Sequence, residues 1–287
     1  MKKAVNTAAL AGIYCLCANF VLSLTISKFG MTDETGRLLS LGLITLFTML
    51  PPSLLYFLNW KDTDLFHDEK NEKCRSIPET IPIIFWGFAI CAALNFVISL
   101  LSDLVSNQRD VSSGVLFHDV QVFLTAVLTV GILPAVCEEL LFRKCIFGAL
   151  KKFDELLAVL ISALIFGMLH SGITSMSFAF LSGIVLGFVR IYTGRFWAAI
   201  AVHLLNNLLA LGTAAVGVFI SPEMKSIVFY VLGIVGIVFT VTGFIMLKAR
   251  NIKLYQAKEG GRHLTQTIKE CPALWAYFLL AVVMKIF

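Results

Sequence analysis

Three short polar groups of residues interrupt an otherwise apolar chain. They read EELLFR at Glu138–Arg143, FGMLH at Phe166–His170 and HLLNN at His203–Asn207. Ionisable side chains are costly at bilayer depth, and those that persist there usually mark a functional site. Glutamate supplies a general base, imidazole a proton carrier, and a side-chain amide a donor for a developing oxyanion. Together these are the parts of a hydrolytic site.

The spacing within each group decides which side chains share a helical face. Glu139 and Arg143 are four apart and pair. Glu138, rotated by about 100°, faces elsewhere and escapes that neutralisation. Phe166 and His170 share one face, as do His203 and Asn207, with Asn206 beside them. Read singly, these are an ion pair, an interfacial histidine and interhelical hydrogen bonds. Read together, they predict a convergent site. Glu138 and His170 would hold a water, with Glu138 taking its proton. His203 and Asn207 would donate to the oxyanion of a tetrahedral intermediate. The zinc-protease signature H-E-x-x-H is missing. A zinc ion nevertheless remains a possible cofactor, because two histidines and a carboxylate gathered from separate helices suffice for one. Its ligands would be Glu138, His170 and His203.

The elements that must position these groups are membrane helices. Of 287 residues, 58% are hydrophobic and only 14% charged, against about a quarter charged in soluble domains. The fold class is all-α: a polytopic transmembrane helix bundle of about eight spans. They run Ala4–Ile26, Leu38–Leu58, Ile81–Leu101, Val122–Leu150, Leu156–His170, Ser175–Tyr192, Phe196–Val218 and Ile227–Leu247, each near the ~20 residues a crossing needs. Pro272–Phe287 is shorter. Val122–Leu150 would measure about 44 Å as one helix, and Gly131 and Pro134 predict a broken helix near Pro134. A second piece starting there puts Glu138 and Glu139 in its first turns. A straight Leu156–His170 crossing strands His170 at the far end from Glu138, unless the turn Ser171–Ser175 lies within the membrane.

The chain divides into N-terminal spans and a polar loop (1–110), a central core holding all three groups (111–220), and a final span with a basic tail (221–287). Basic residues gather on alternate connections around Lys61–Arg75, Lys151–Lys152, Arg190–Arg195 and Lys248–Lys269. The other side holds only Lys28, Arg37, Arg109 and Lys225. This bias predicts a cytoplasmic N-terminus. The Met-Lys-Lys start and its apolar run read as a first span, since the run is long for a signal peptide and no A-x-A-like site follows. The basic tail is placed to meet anionic headgroups. No dense basic run with interleaved aromatics speaks for nucleic acid. The seven cysteines form no C-x-x-C pair and lie mostly in apolar runs, as small packing residues.

In this order, EELLFR, FGMLH and HLLNN resemble the E-E-x-x-x-R, F-x-x-x-H and H-x-x-x-N motifs of the CPBP intramembrane protease family. That family includes type II CAAX prenyl endopeptidases and bacterial proteins of bacteriocin processing or self-immunity. The resemblance covers about residues 120–215. It implies an intramembrane endopeptidase of a bacterial cell membrane, acting on a membrane-anchored peptide, prenylated or not, or on a membrane-presented one. It makes Glu138 the catalytic glutamate, Glu139 and Arg143 the supporting pair, His170 the partner at the water, and His203 with Asn207 the oxyanion-binding pair. Lys144 stands where many members have glycine. Two other readings use the same residues. One is a non-catalytic membrane protein of this fold, acting in bacteriocin immunity or as a binding partner. The other is a proton-coupled transporter, against which stands the lack of an internal repeat.

Overall fold

The computed structural model describes residues 2–29, 33–60, 74–106, 119–151, 153–249 and 269–286. Much of the Lys61–Glu79 loop, of the 102–119 connection and of the 248–270 tail lies outside the described residues. Nine helices make up the described chain: α1 (Lys2–Phe29), α2 (Glu34–Trp60), α3 (Ile77–Ser106), α4 (Val120–Lys151), α5 (Glu155–Met168), α6 (Ile173–Thr193), α7 (Phe196–Val216), α8 (Pro222–Ala249) and α9 (Pro272–Ile286). No strand occurs among the described residues. The protein is an all-α multi-pass bundle.

Seven helices, α1 to α4 and α6 to α8, are long and apolar enough to cross a membrane. The remaining predicted span, Leu156–His170, is the helix α5, which has only 14 residues. At 1.5 Å per residue it reaches about 21 Å, short of the ~30 Å hydrocarbon core. Its apolar run continues through Leu169, which hides the reversal from a hydropathy reading. The chain turns at Leu169–Gly172, where Gly172 adopts φ 78°. Helix α5 starts on the side chain of Asp154, which accepts from the Leu157 N–H at 2.7 Å, and folds back against α6. Small residues permit that approach. A Cβ on Gly183 would stand 3.1 Å from Ala163 Cβ and 3.3 Å from Arg143 Nη2. Gly183→Val is therefore expected to lower stability by about 1–3 kcal/mol through overpacking, measured by thermal unfolding in detergent.

The predicted break near Pro134 takes the form of a π-helical turn, after which an α-helical piece starts at Leu133 with Pro134 in its first turn. Helix α4 is continuous, but it contains two π-helical turns, Val127–Ile132 and Leu140–Ile146. The Leu133 N–H reaches back five residues to the Leu128 carbonyl, so the helix absorbs an extra residue just ahead of Pro134. A π-turn locally re-routes the hydrogen-bond ladder that proline would otherwise interrupt.

The core follows the second half of α4. Leu141, Phe142, Ile146, Phe147 and Leu150 are buried, with Leu157, Val159 and Ile165 of α5 and Ala8 and Cys15 of α1 around them. Helix α8 is the opposite case. Val231, Ile234, Val238 and Phe239 stand exposed along it, a continuous apolar surface suited to lipid.

Candidate active site

The site sits where α4, α5 and α7 meet. Burial and pairing sort the two adjacent glutamates. Glu139 is fully buried, with its Oε2 3.3 Å from the Nε of Arg143, which is buried too. Arg143 also donates from Nη2 to the Gly183 carbonyl at 3.1 Å. Its guanidinium carbon lies 5.1 Å from the Phe166 ring centre and 5.9 Å from that of Phe142, within cation–π range. One carboxylate and one guanidinium thus neutralise each other inside the bundle, as the i,i+4 spacing predicts.

His203 of α7 joins both glutamates. Its Nδ1 lies 2.9 Å from Glu139 Oε1, and its Nε2 lies 3.7 Å from Glu138 Oε2. The Nδ1 facing a carboxylate carries the hydrogen, since the carboxylate can only accept. The sequence separated the two carboxylates by face, but not that one imidazole would span them. That contact needs α7 to cross α4 at this level.

His170 ends the short helix α5. Its Nδ1 lies 3.0 Å from the Phe166 carbonyl. A carbonyl only accepts, so Nδ1 carries the hydrogen and Nε2 of the neutral ring is left an acceptor. Because α5 stops short, His170 falls at the level of Glu138, and the two line one cavity of about 220 Å³. Phe166 forms the floor, edge-on to His170 with ring centres 4.9 Å apart.

Asn207 is placed differently from the rest. Its Nδ2 donates to the carbonyls of Val130 and Gly131, at 3.3 and 3.2 Å. Val130 is the residue four before Pro134, whose missing N–H cannot serve that carbonyl. The amide therefore supports the π-turn that leads to Glu138, and it is engaged there while it does so. Asn207→Ala is expected to cost about 1–3 kcal/mol, the penalty for under-served buried carbonyls, read as a lower unfolding midpoint. A variant as stable as the parent but inactive would instead assign the amide to the oxyanion.

Sequence reasoning missed part of the cavity wall. Asn19 of α1, Met49 of α2, and Ser171 and Ser175 at the α5–α6 turn also line it. Asn19 accepts from the Ser23 hydroxyl through Oδ1 at 3.1 Å, so its NH₂ remains available as a donor. The signal was a lone amide in the apolar run of the first span. As for metal, no three His, Cys, Asp or Glu side chains gather at ligating spacing among the described residues. Each imidazole faces a protein acceptor through Nδ1, which leaves Nε2 of both rings open.

Residues 120–209 match the family model described as "Type II CAAX prenyl endopeptidase Rce1-like". This segment contains all of Glu138, Glu139, Arg143, His170, His203 and Asn207. Among curated proteins, the "Putative membrane peptidase YdiL" of Bacillus subtilis (strain 168) is 35% identical over 82 residues, covering 28% of this chain and 34% of that protein. The "Membrane-embedded CAAX protease MroQ" of Staphylococcus aureus (strain USA300) is 25% identical over 155 residues, covering 50% of this chain and 60% of that protein. The chain thus spans about a third of one relative's length and three fifths of the other's. No solved structure matches. The segment 120–209 is thus similar to the type II CAAX prenyl endopeptidase Rce1-like family and to proteins named as a membrane peptidase and a membrane-embedded CAAX protease.

Proposed function

We propose that the protein is an intramembrane endopeptidase that hydrolyses a membrane-anchored or membrane-presented peptide with a water activated by Glu138 and His170. The observation that carries this reading is the division of labour between the glutamates. Glu139 is sealed by Arg143, whereas Glu138 shares a polar cavity with His170. A water there can donate one hydrogen to the Glu138 carboxylate and the other to His170 Nε2, since both accept. Glu138 takes a proton as the water oxygen bonds to the scissile carbonyl carbon. The carbonyl oxygen becomes an oxyanion, for which the Asn19 amide is an available donor. Collapse breaks the C–N bond, and the proton held by Glu138 passes to the leaving amine. The products are one carboxyl and one amino terminus.

His203 has a positioning role in this scheme. Its Nδ1–H on Glu139 fixes the ring, and its Nε2 faces Glu138. It thereby sets the imidazole beside the catalytic carboxylate, 3.7 Å from it. The test is cleavage of reconstituted prenylated and unprenylated membrane peptides by the wild-type chain. If none of a broad panel is cut and Glu138→Gln still performs the protein's cellular role, a non-catalytic binding function replaces the protease.

We place the protein in a bacterial cell membrane with its N-terminus cytoplasmic, on the charge bias of its connections. In cysteine mapping of a Cys-free background, Phe153→Cys before α5 should label only after permeabilisation. Glu223→Cys at the start of α8 should label in intact cells. The reverse pattern would invert the orientation.

A further inference from the structure

Helices α3, α7 and α8 line a second, open cavity of about 430 Å³, on the other side of α7. Most of its wall is apolar, but three polar side chains face it: Asn95 of α3, Asn206 of α7 and Lys225 of α8. Neither amide hydrogen-bonds another described residue, and Lys225 forms no ion pair among the described residues. Asn206 lies at the midpoint of α7 and Asn95 well inside α3. Asn95 is exposed and Asn206 half-buried, so both amides are presented to the cavity and not to a protein partner, and polar side chains held at that depth face a cavity that uses them.

The pattern discriminates between occupants. An acyl chain would satisfy the apolar wall and leave both amides unpaired. A peptide in extended form offers backbone donors and acceptors that an asparagine amide can answer with its own carbonyl and NH₂. It needs such partners in any water-poor environment. From Asn206 to Thr213, both on the cavity wall, α7 rises about 10 Å, the length of about three extended residues. A carboxylate at one end would meet Lys225. We propose that this cavity binds an extended, apolar peptide segment bearing an acidic side chain, held by Asn95 and Asn206 along its backbone and by Lys225 at its charge. The site is separate from the Glu138–His170 cavity. The two share α6 as a wall, with Ser175 on one side and Phe178 on the other.

The proposal concerns binding, so it is tested on the full chain carrying Glu138→Gln, where cleavage does not enter. The chain is reconstituted in phosphatidylcholine nanodiscs. Binding of fluorescent acetyl-Leu-Leu-Leu-Glu-amide is followed by anisotropy, beside its Gln counterpart and with palmitate as competitor. The acidic peptide is expected to bind saturably and at least about tenfold tighter than the Gln peptide, the scale of one hydrogen bond to a charged group. Lys225→Gln should erase that difference. Asn95→Leu with Asn206→Leu should weaken both peptides at least about tenfold while raising the unfolding midpoint, which also reports that the variant folds. Absence of saturable binding overturns the proposal. So does equal binding of the two peptides by the Lys225 chain, or binding unchanged by the asparagine replacements. Displacement by palmitate with no effect of any variant would make the cavity a lipid groove.

Discussion

Glu138→Gln is expected to lower peptide hydrolysis by about 10²–10⁴-fold, the worth of a positioned general base, while leaving the fold intact. Glutamine keeps the shape and the hydrogen-bonding capacity of the side chain but cannot take a proton at neutral pH. Glu138 is partly exposed to its cavity, with 14% of its side chain accessible, and it stands outside the Arg143–Glu139 contact. Its replacement therefore strands no buried charge. His170→Ala should cause a loss of similar order by removing the second acceptor of the water, again without a large stability cost, because His170 sits at the cavity's edge beside an open turn. Both variants are assayed in proteoliposomes on the same peptide panel, with unfolding midpoints measured in parallel. Chelator should leave the wild-type rate unchanged, since Glu138, His170 and His203 are not gathered as ligands. Loss of activity on chelation with recovery on added zinc would keep these residues and change their roles from activating free water to holding a metal. Undiminished cleavage by Glu138→Gln would sink the mechanism.

What could be read from the sequence was whatever lies within one helix. The Glu139–Arg143 pair is a matter of i,i+4 spacing, and the structure has it at 3.3 Å. The long spans are a matter of apolar run length, and seven of them stand as helices. What escaped reading depends on register between helices or on a departure from 3.6-residue periodicity. Gly131 and Pro134 mark where the α-helical ladder of α4 is interrupted, but no residue type tells that the interruption is a π-turn and not a gap. The shortness of α5 is concealed because Leu169 extends its apolar run past the point where the chain turns. The bridge from His203 to both glutamates and the bond from Asn207 to Val130 and Gly131 are tertiary facts about how α7 crosses α4. Asn19 was legible only as an isolated polar residue, because its partner cavity is built, Met49 apart, from segments more than a hundred residues away.

Arg143→Ala is expected to destabilise the protein by about 3–5 kcal/mol, the cost of stranding one partner of a buried ion pair. Arg143 and Glu139 are among the largest fully buried side chains in the protein. Removing the guanidinium leaves Glu139 with the His203 Nδ1–H as its remaining side-chain partner. It also removes the donor to the Gly183 carbonyl and empties the space between Phe142 and Phe166. These losses fall on the junction of α4, α5 and α6, so they should appear as reduced folded yield in the membrane and not as a purely catalytic defect. Arg143→Lys should recover only part of the stability, since an ammonium lacks the planar fork that serves Glu139 and Gly183 together. The sharper comparison is Arg143→Ala combined with Glu139→Gln. Neutralising the stranded carboxylate should restore a measurable share of the folded yield without restoring activity, because His203 then loses the carboxylate that orients its ring towards Glu138. The measurements are fluorescence-detected size exclusion for yield, thermal unfolding for stability and the peptide assay for activity. Wild-type yield and unfolding midpoint in Arg143→Ala would show that the pair is not a structural support of the site. A double variant no better folded than Arg143→Ala would assign the loss to packing around the guanidinium and not to charge.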